Sequence, residues 1–284
     1  MSFDISIIII NYKSWKHLEN CLNSINKIDS IDFSFEVLVV DNCSSDIFFE
    51  VFKKKFKQYN FIENSGNNGF ANGCNLGAKN AKGSFFLFLN PDTIISKEPL
   101  LKMYAFLNKN KNVGIVSCKQ INTIGLYEKN IRFFPDFSTL FGIFRAFNKK
   151  KLNSKISIKN NVLYPDWVSG AVLLISKAWF DKISGWDEDF WMYYEDVNLS
   201  KKVSNLGGKV ALITSTEIIH NHGGSSRINI KTASITKTEV LISKHVYIRH
   251  NYKGIKHFIL QFLVVTNNLI GKIIAALIGV LFFF

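Results

Sequence analysis

Glu195 and Asp196 close a segment, Gly185 to Asp196, that holds five acidic and five aromatic side chains in twelve residues. A core does not need so many acids, and a solvated loop does not need so many aromatic rings. The two carboxylates open a predicted helix, whose positive end favours their ionised form. An ionised carboxylate can take a proton from an attacking hydroxyl group. The segment therefore predicts a reactive carboxylate beside flat apolar surfaces, which are supplied by Trp191, Tyr193 and Tyr194.

Two further carboxylates come directly after predicted buried strands. Asp41 follows the strand Phe35 to Val40 and can accept a hydrogen bond from the imide N–H of uracil or thymine. The alternative is a helix cap, a role that Asp46 fits better. Asp92 follows the strand Phe85 to Leu89 in the run Asn90-Pro91-Asp92, where it can hold Mg²⁺ or Mn²⁺ beside a departing diphosphate. That tripeptide also occurs in ordinary turns, so alone it is a weak signal.

Two glycine-containing segments add candidate ligands for phosphate or metal. The run from Asn64 to Gly77 enters a predicted helix through several glycines, and N–H groups at a helix start suit a phosphate. Tight packing of the helix on the sheet is the alternative. His220 and His222 adjoin a Gly-Gly-Ser-Ser-Arg loop and are candidate metal ligands or phosphate donors. A lone histidine would more often be structural, but two beside such a loop favour function.

The scaffold must bring these distant residues together. From Ile5 to Ser117, predicted strands alternate with predicted helices, which indicates a doubly wound α/β sheet of mostly parallel strands. Ligands of such sheets bind beyond the carboxyl ends of the strands. The polar residues at those predicted ends are Asn11, Asp41, Asn42, Asn90 and Asp92. From Lys119 to Tyr164 the periodicity is lost, which indicates an exposed or mobile loop.

The last segment, Phe258 to Phe284, is strongly apolar, but Lys272 and three amide side chains interrupt it. Only about a dozen apolar residues follow Lys272, fewer than the roughly 20 that span a bilayer. One long spanning helix, a helix lying in the membrane plane, and a core or oligomer helix are the three alternatives. We predict one domain over residues 1–230 and a helical, membrane-associating segment over residues 231–284.

The net charge limits the classes of binding partner, and the cysteine content indicates the cellular compartment. The formal net charge of +13 suits an anionic membrane face, nucleic acid or anionic small substrates, although a lysine-rich genome would give the same excess. The four cysteines form no C-x-x-C pair, which is typical of a reducing compartment. The start of the chain has no basic region resembling a signal peptide. A cytoplasmic catalytic domain is therefore expected, at the inner face of the membrane.

Seven segments, in order along residues 4 to 230, resemble the inverting glycosyltransferases of family 2, in their rhamnosyltransferase-like branch. Each segment alone is a weak indication of the family, whereas the seven segments in the family's order are a specific one. The resemblance implies the GT-A nucleotide-diphospho-sugar transferase fold. The segments are Ser6–Tyr12, Val40–Asp46, Asn68–Asn75, Asn90–Asp92, Asp166–Ala171, Gly185–Asp196 and His220–Ser225.

The resemblance also implies a role for each matched residue. Asp196 would be the general base with Glu195 in support, and Asp92 with His220 would hold Mg²⁺ or Mn²⁺. The implied nucleotide contacts are Asn11, Tyr12, Asp41, Asn68, Gly69, Asn75 and Asn90. The implied acceptor contacts are Trp167, Gly170, Trp191, Tyr193 and Tyr194, with His222, Ser225 and Arg227 as further candidates.

Three residues depart from the family pattern. Asn198 and Lys202 stand where this branch often has Asp and Arg, which leaves acceptor and phosphate contacts open. Asn90 replaces the first acid of the family's D-x-D, an exchange that is usual in the branch.

The expected function is transfer of a sugar, plausibly L-rhamnose from dTDP-rhamnose, to a glycan or lipid-linked acceptor during assembly of a surface polysaccharide such as O-antigen or capsule. Nucleic acid is not an expected partner. A sugar nucleotidyltransferase is one alternative, although residues 5–12 lack the glycine-rich loop and the cationic residue that it would need. A non-catalytic, membrane-bound binder of glycans or nucleotides is the other.

Overall fold

The computed structural model describes residues 3–29, 31–127, 132–140, 158–221 and 230–283. The strands are β1 (Phe3–Asn11), β2 (Phe35–Asp41), β3 (Asn60–Glu63), β4 (Gly83–Leu89), β5 (Thr93–Ile94), β6 (Val113–Ile121), β7 (Ile158–Lys159), β8 (Val162–Leu163), β9 (Val172–Ser176) and β10 (Lys209–His220). The helices are α1 (Trp15–Ile25), α2 (Phe48–Lys55), α3 (Phe70–Asn80), α4 (Lys97–Lys109), α5 (Phe137–Leu140), α6 (Lys177–Lys182), α7 (Glu195–Asn205), α8 (Ile230–Asn251) and α9 (Gly254–Phe283).

All ten strands belong to one sheet, in the order β3-β2-β1-β4-β9-β6-β10-β8-β7, with β5 beside β10. The four strands β3, β2, β1 and β4 are parallel, as the alternation of strands and helices predicts. Because these four strands run in the same direction, their carboxyl ends share one edge of the sheet. Asn11 and Asp41 meet there, because β1 and β2 pair them directly.

The prediction of a mostly parallel sheet is only partly correct, since the sheet is mixed. Strand β9 lies between β4 and β6 and runs antiparallel to both. Strand direction cannot be read from an apolar run, because parallel and antiparallel buried strands have the same composition. The antiparallel direction matters for the site, because it brings the start of β9 to the end of β4.

Two apolar layers cover the two faces of the sheet. Ile5, Ile7 and Ile9 of β1 face the layer that contains α1 and α4, whereas Ile8 and Ile10 face the layer that contains α3, α6 and α7. Successive side chains of a strand point to opposite faces, so a strand buried on both sides is apolar throughout. This explains the unbroken run of isoleucines.

The two C-terminal helices pack against each other through a small cluster of buried apolar side chains, Ile248, Leu260 and Val264. Helix α8 begins five residues before the predicted Ile235, and α9 covers almost the whole apolar segment. In the part of the chain that the structure describes, no helix combines the length and apolarity that crossing a bilayer requires.

Candidate active site

The short strand β5 sets up a candidate metal site. Its antiparallel pairing with the end of β10 places His220 opposite Thr93, the residue after Asp92. The backbone N–H of Asn221 donates to the carbonyl oxygen of Asp92 at 2.9 Å, which fastens the two segments together. As a result, Nε2 of His220 lies 3.4 Å from Oδ1 of Asp92, and both side chains are buried.

A divalent cation fits the chemistry of this pair. Asp92 Oδ1 is buried and has no hydrogen-bond partner among the described residues. A buried carboxylate oxygen without a partner is costly, and a bound cation would satisfy it. Carboxylate oxygen and imidazole nitrogen are both ligands for Mn²⁺, while oxygen alone suits Mg²⁺. His222, Ser225 and Arg227 lie outside the described residues.

Asp41, the predicted base contact, is held rigidly at the end of β2. Its carboxylate accepts hydrogen bonds from Asn11 Nδ2 at 2.8 Å, from the Ser44 backbone N–H at 2.8 Å and from Ser44 Oγ at 2.7 Å. The side chain is only 1% exposed. This network fixes the orientation of the carboxylate, and its contact with a nucleotide base stays a prediction. Tyr12, next to Asn11, is 44% exposed and lies open to solvent.

The glycine-rich entry to α3 is closely packed against the carboxylate-rich segment. The backbone N–H of Phe70 donates to the carbonyl oxygen of Trp191 at 2.9 Å. Gly69 has a φ of +97°, and a Cβ built on it would lie 2.4 Å from the same oxygen. Glycine is therefore required here for close approach and for backbone conformation. Asn68 beside it is exposed and free to meet a ligand.

Asn75, a predicted nucleotide contact, instead contacts the acceptor-side segment in this structure. Its amide exchanges two hydrogen bonds of 3.0 Å with the backbone of Trp186 and donates to Glu188 Oε1 at 2.7 Å. Asn72, one turn earlier, donates to the other oxygen of Glu188 at 2.7 Å. The N-terminal half of α3 thus anchors the segment that leads to Asp196, and a nucleotide contact by Asn75 stays a prediction.

Asp196 is positioned by an unusual backbone. Tyr193 and Tyr194 both adopt left-handed conformations, with φ of 71° and 65°. Such conformations cost about 1 kcal/mol or more for non-glycine residues and concentrate at functional sites. They turn the chain abruptly into α7. The half-buried carboxylate of Asp196 then accepts hydrogen bonds from the backbone N–H of Gly170 at 3.0 Å and of Val197 at 2.7 Å.

Burial, rather than the helix end, dominates the ionisation of the two acids. Burial raises the pKa of Glu195 well above its ordinary value, and the neighbouring charge of Asp196 adds to the effect. Burial also raises the pKa of Asp196, although hydrogen bonds from Gly170 and Val197 and the charge of Arg132 oppose it. The helix end favours the ionised form of both acids by about 1 kcal/mol, but burial has the opposite and larger effect, so the pKa of each acid lies above its ordinary value.

The two halves of the candidate site meet at the start of β9. The backbone N–H of Asn90, at the end of β4, donates to the carbonyl oxygen of Ala171 at 2.9 Å. Gly170, the preceding residue, donates to Asp196 at 3.0 Å. Gly170 and Ala171, the two residues directly before β9, therefore connect the turn that holds Asp92 to the carboxylate of Asp196. These two hydrogen bonds link the segment of Asp92 to that of Asp196, and the two segments are about a hundred residues apart in sequence.

A comparison with known protein families identifies the family of the chain. A family model described as "Glycosyl transferase family 2" matches residues 6–166, more than half of the chain. The chain belongs to glycosyl transferase family 2. The matched span contains Asp41 and Asp92 and ends just before Trp167, so Asp196 lies beyond it.

The relatives of this glycosyltransferase include one named a hexosyltransferase and one named a rhamnosyltransferase. The chain is 28% identical over 231 residues to the low-salt glycan biosynthesis hexosyltransferase Agl10 of Haloferax volcanii, a match that covers 77% of the chain and 67% of the relative. It is 23% identical over 223 residues to the rhamnosyltransferase WbbL of Escherichia coli, covering 75% and 82%. The family and these relatives make the chain an enzyme of hexosyltransferase type.

Solved structures share the GT-A transferase fold. The mannosyltransferase PcManGT of Pyrobaculum calidifontis, solved with GDP-Man and Mn²⁺, aligns over 92% of the chain and 69% of its own, with a TM-score of 0.60 at 15% identity. The TarS 1–349 structure of S. aureus aligns over 84% and 65%, with a TM-score of 0.55 at 20% identity. At such identities the likeness establishes the fold of the glycosyltransferase and nothing finer.

The two tryptophans predicted to contact an acceptor are held by hydrogen bonds to the backbone, and an acceptor contact stays a prediction. Trp167 donates from Nε1 to the carbonyl oxygen of Phe133 at 3.0 Å, and Trp191 donates to that of Asn67 at 3.0 Å. Burial and the charge of Asp196 raise the pKa of Tyr194 to about 12, so its hydroxyl stays neutral near the carboxylate.

Arg132 is the residue of this region that sequence reasoning missed. Its guanidinium lies over the Trp167 ring, 4.6 Å from the centroid, and its charge opposes the rise of the Asp196 pKa. Arg132 falls in the segment without periodicity, where a single basic residue carries no positional signal. Only the folded chain reveals its proximity to Asp196.

We predict that Glu195→Gln keeps most of the transferase activity, because burial disfavours the charged form of Glu195 and raises its pKa well above the ordinary value, and glutamine is neutral with nearly the same shape. The sign of the stability effect follows from the raised pKa. Ionising Glu195 inside the fold is unfavourable, so wild type should lose stability as the pH rises above the ordinary value of 4.5, by at most about 1.4 kcal/mol per pH unit. Glu195→Gln should remove this slope, measured by urea unfolding across pH.

Glu19→Gln is the matched control, since Glu19 is an exposed ion-pair partner of Lys55. It should leave the slope in place. If Glu195→Gln instead abolished activity while folding normally, Glu195 would be an ionised participant in the chemistry.

Proposed function

We propose that this glycosyltransferase moves a sugar from a nucleotide-diphospho donor to a hydroxyl group of a glycan or lipid-linked glycan, with inversion at the anomeric carbon. The observation that carries the proposal is the connection through Gly170 and Ala171, which joins the Asp92–His220 pair to Asp196. A cation site for a leaving group and a carboxylate for an incoming hydroxyl are the two requirements of a direct displacement.

In the proposed reaction, Asp196 accepts the proton of the acceptor hydroxyl as the oxygen attacks the anomeric carbon. The new C–O bond forms on the face opposite the departing diphosphate, so the bond to the donor breaks as the new one is made. Asp92 and His220 would hold a divalent cation, which would neutralise the charge that the diphosphate gains. The Gly170 N–H keeps Asp196 oriented during the transfer. Trp167, Trp191 and Tyr194 would hold the acceptor sugar.

The donor that we propose to test first is dTDP-L-rhamnose, because one relative is named a rhamnosyltransferase. Other nucleotide-diphospho hexoses follow, because another relative is named a hexosyltransferase. The proposed pathway is assembly of a surface polysaccharide. The experiment incubates the full chain with Mn²⁺, a mixed glycan acceptor pool and each nucleotide sugar, and measures release of nucleotide diphosphate. Acceptor-dependent release from at least one donor is expected, and release from none would contradict the proposal.

We further propose that residues 231–284 form a C-terminal segment that rests on an anionic membrane surface, where lipid-linked acceptors are found. Helix α9 exposes apolar side chains three or four residues apart, which lie on one face of a helix. Phe258 and Phe262 are 71% and 67% exposed. The same face also exposes Ile255, Ile259, Val265 and Leu269. Lys253 and Lys256 are exposed at the start of the helix, and basic residues there suit anionic headgroups.

Replacing Phe258 and Phe262 together by alanine should weaken vesicle binding about 100-fold, because each buried phenylalanine contributes at least about 1.5 kcal/mol. Co-sedimentation with vesicles of phosphatidylglycerol and phosphatidylcholine measures the binding. Phe48→Ala, at an exposed phenylalanine of α2, is the control and should bind like wild type. Equal sedimentation of all three proteins would contradict the membrane contact.

A further inference from the structure

Helix α8 packs directly against the segment that leads to Asp196. Tyr247 of α8 is fully buried and shares an apolar cluster with Phe190 of that segment and Val197 of α7. Ser243, one turn before, donates from its hydroxyl to the carbonyl oxygen of Met192 at 2.8 Å. The C-terminal helix is therefore part of the wall behind the acceptor side of the site.

Three consecutive acids of the segment are held from opposite directions. Glu188 is bound by two asparagines of α3, as described above. Asp187 and Asp189, on either side of it, both face His250 at the end of α8. The segment is therefore attached on one side to α3 and on the other side to α8. His250 makes two of the contacts on the α8 side.

Both ring nitrogens of His250 contact a carboxylate. Nδ1 lies 2.9 Å from Asp187 Oδ2, and Nε2 lies 2.9 Å from Asp189 Oδ2. A neutral imidazole carries one N–H, so it could donate to only one of these acceptors and would turn a lone pair toward the other. The doubly protonated ring donates to both. Phe190, whose ring meets the imidazole edge-on at 5.6 Å between centroids, packs against it.

The surrounding charges agree with a cationic ring. Arg249 donates to Asp189 Oδ2 at 3.1 Å, so the two carboxylates have one guanidinium beside them, and a second cation would balance their charge. Asn198 also donates to Asp187 at 2.9 Å. Lys202 of α7 donates to the carbonyl oxygen of Gly185 at 2.8 Å; burial lowers its pKa, and the charge of Asp187 opposes that change.

The same three groups, Asp187, Asp189 and His250, are close enough to hold a metal ion. A cation would take only one ring nitrogen, which leaves the second 2.9 Å contact unexplained, and it would compete with Arg249 for Asp189. The geometry therefore favours hydrogen bonds from a protonated ring over a cation.

We propose that His250, protonated on both nitrogens, is a positioning residue that clasps Asp187 and Asp189 and thereby holds the segment from Asp187 to Tyr194 in its site-forming conformation. The clasp acts on the acceptor side, because this segment carries Trp191 and the strained turn into Asp196. The clasp is a property of the fold, and only its effect on acceptor binding rests on the proposed function.

The test of the clasp uses the full chain without substrate. Heteronuclear NMR of the imidazole reports the protons on Nδ1 and Nε2, and hydrogen exchange followed by mass spectrometry reports the protection of residues 187–194. When the pH is raised far enough to remove the second ring proton, the protection factor of this segment, which corrects for the intrinsic base-catalysed rise of exchange with pH, should fall about tenfold in step with the loss of that proton. A segment whose protection does not follow the ring protonation would overturn the proposal.

Two substitutions sharpen the test. Asp189→Asn offers an N–H to the lone pair of a neutral ring, so the clasp should persist and the protection of residues 187–194 should lose its dependence on pH. His250→Gln should expose the segment at every pH, whereas His17→Gln on α1 is the matched control and should behave like wild type. Zn²⁺ or Mn²⁺ that binds the wild type and removes a ring proton would favour a metal site and contradict the clasp.

Once an acceptor is in hand, His250→Gln should raise the acceptor KM about tenfold and leave the donor KM near its wild-type value, since displacement of positioning groups by small distances is costly. A loss confined to kcat would contradict a positioning role. The NMR and exchange results stand independently of that assay, so failure of the proposed reaction and failure of the clasp are distinguishable.

Discussion

Replacing Asp196 by asparagine should lower kcat about 10³-fold, because the acceptor hydroxyl then loses its proton acceptor. Asparagine has the same shape and keeps an oxygen for the Gly170 N–H, so the fold and the donor site should persist. The donor KM should change little. The measurement is the initial rate of transfer with saturating Mn²⁺ and donor, together with the unfolding midpoint in urea.

The pH profile of this variant adds a second readout. A base must be ionised to act, so activity should rise as the pH passes the pKa of Asp196. Since burial raises that pKa, the acid limb should lie above the range of an ordinary aspartate. Asp196→Asn should abolish the limb. Asp181→Asn, at an exposed ion-pair partner of Lys177, is the control. It should keep both the wild-type rate and the acid limb of the pH profile.

Replacing Asp92 by asparagine should lower the rate by a similar factor, about 10³-fold, because a cation that stabilises a departing diphosphate contributes several kcal/mol. Asparagine keeps a carbonyl oxygen near His220 but removes the charge. The variant should also need more Mn²⁺ to reach half its maximal rate. Mn²⁺ bound in the presence of nucleotide diphosphate can be counted by electron paramagnetic resonance.

The matched control for Asp92 is Asp29→Asn, since Asp29 is an exposed ion-pair partner of Lys97. It should bind Mn²⁺ and react like wild type. If Asp92→Asn folded normally and kept the wild-type rate and Mn²⁺ dependence, the buried pair of Asp92 and His220 would have a structural role only.

Much of the sheet and part of the site could be predicted from sequence. The isoleucine run of β1 and the polar residues at strand ends are local signals, and parallel pairing of β1 with β2 then brings Asn11 to Asp41. The sequence predicts the start of α7 at Glu195 correctly, because the helix follows an aromatic-rich turn and ends before Gly207.

Other features depend on contacts between distant segments. The apolar run of β9 carries no information on its direction, yet its antiparallel position connects Asn90 to Ala171. The ionisation of Glu195 depends on burial against the core, which outweighs the helix end that the sequence suggests. Arg132 and His250 are single residues whose sequence neighbours give no positional signal, and only folding places them beside Asp196 and the acids before it.

The stereochemistry of transfer tests the central claim most directly. Once a donor is known, NMR of the product can compare the anomeric configuration of the transferred sugar with that of the donor. A direct displacement with Asp196 as the base and a cation on Asp92 predicts the opposite configuration in the product. Retention of the donor configuration would require a double displacement or a front-face reaction and would contradict the account.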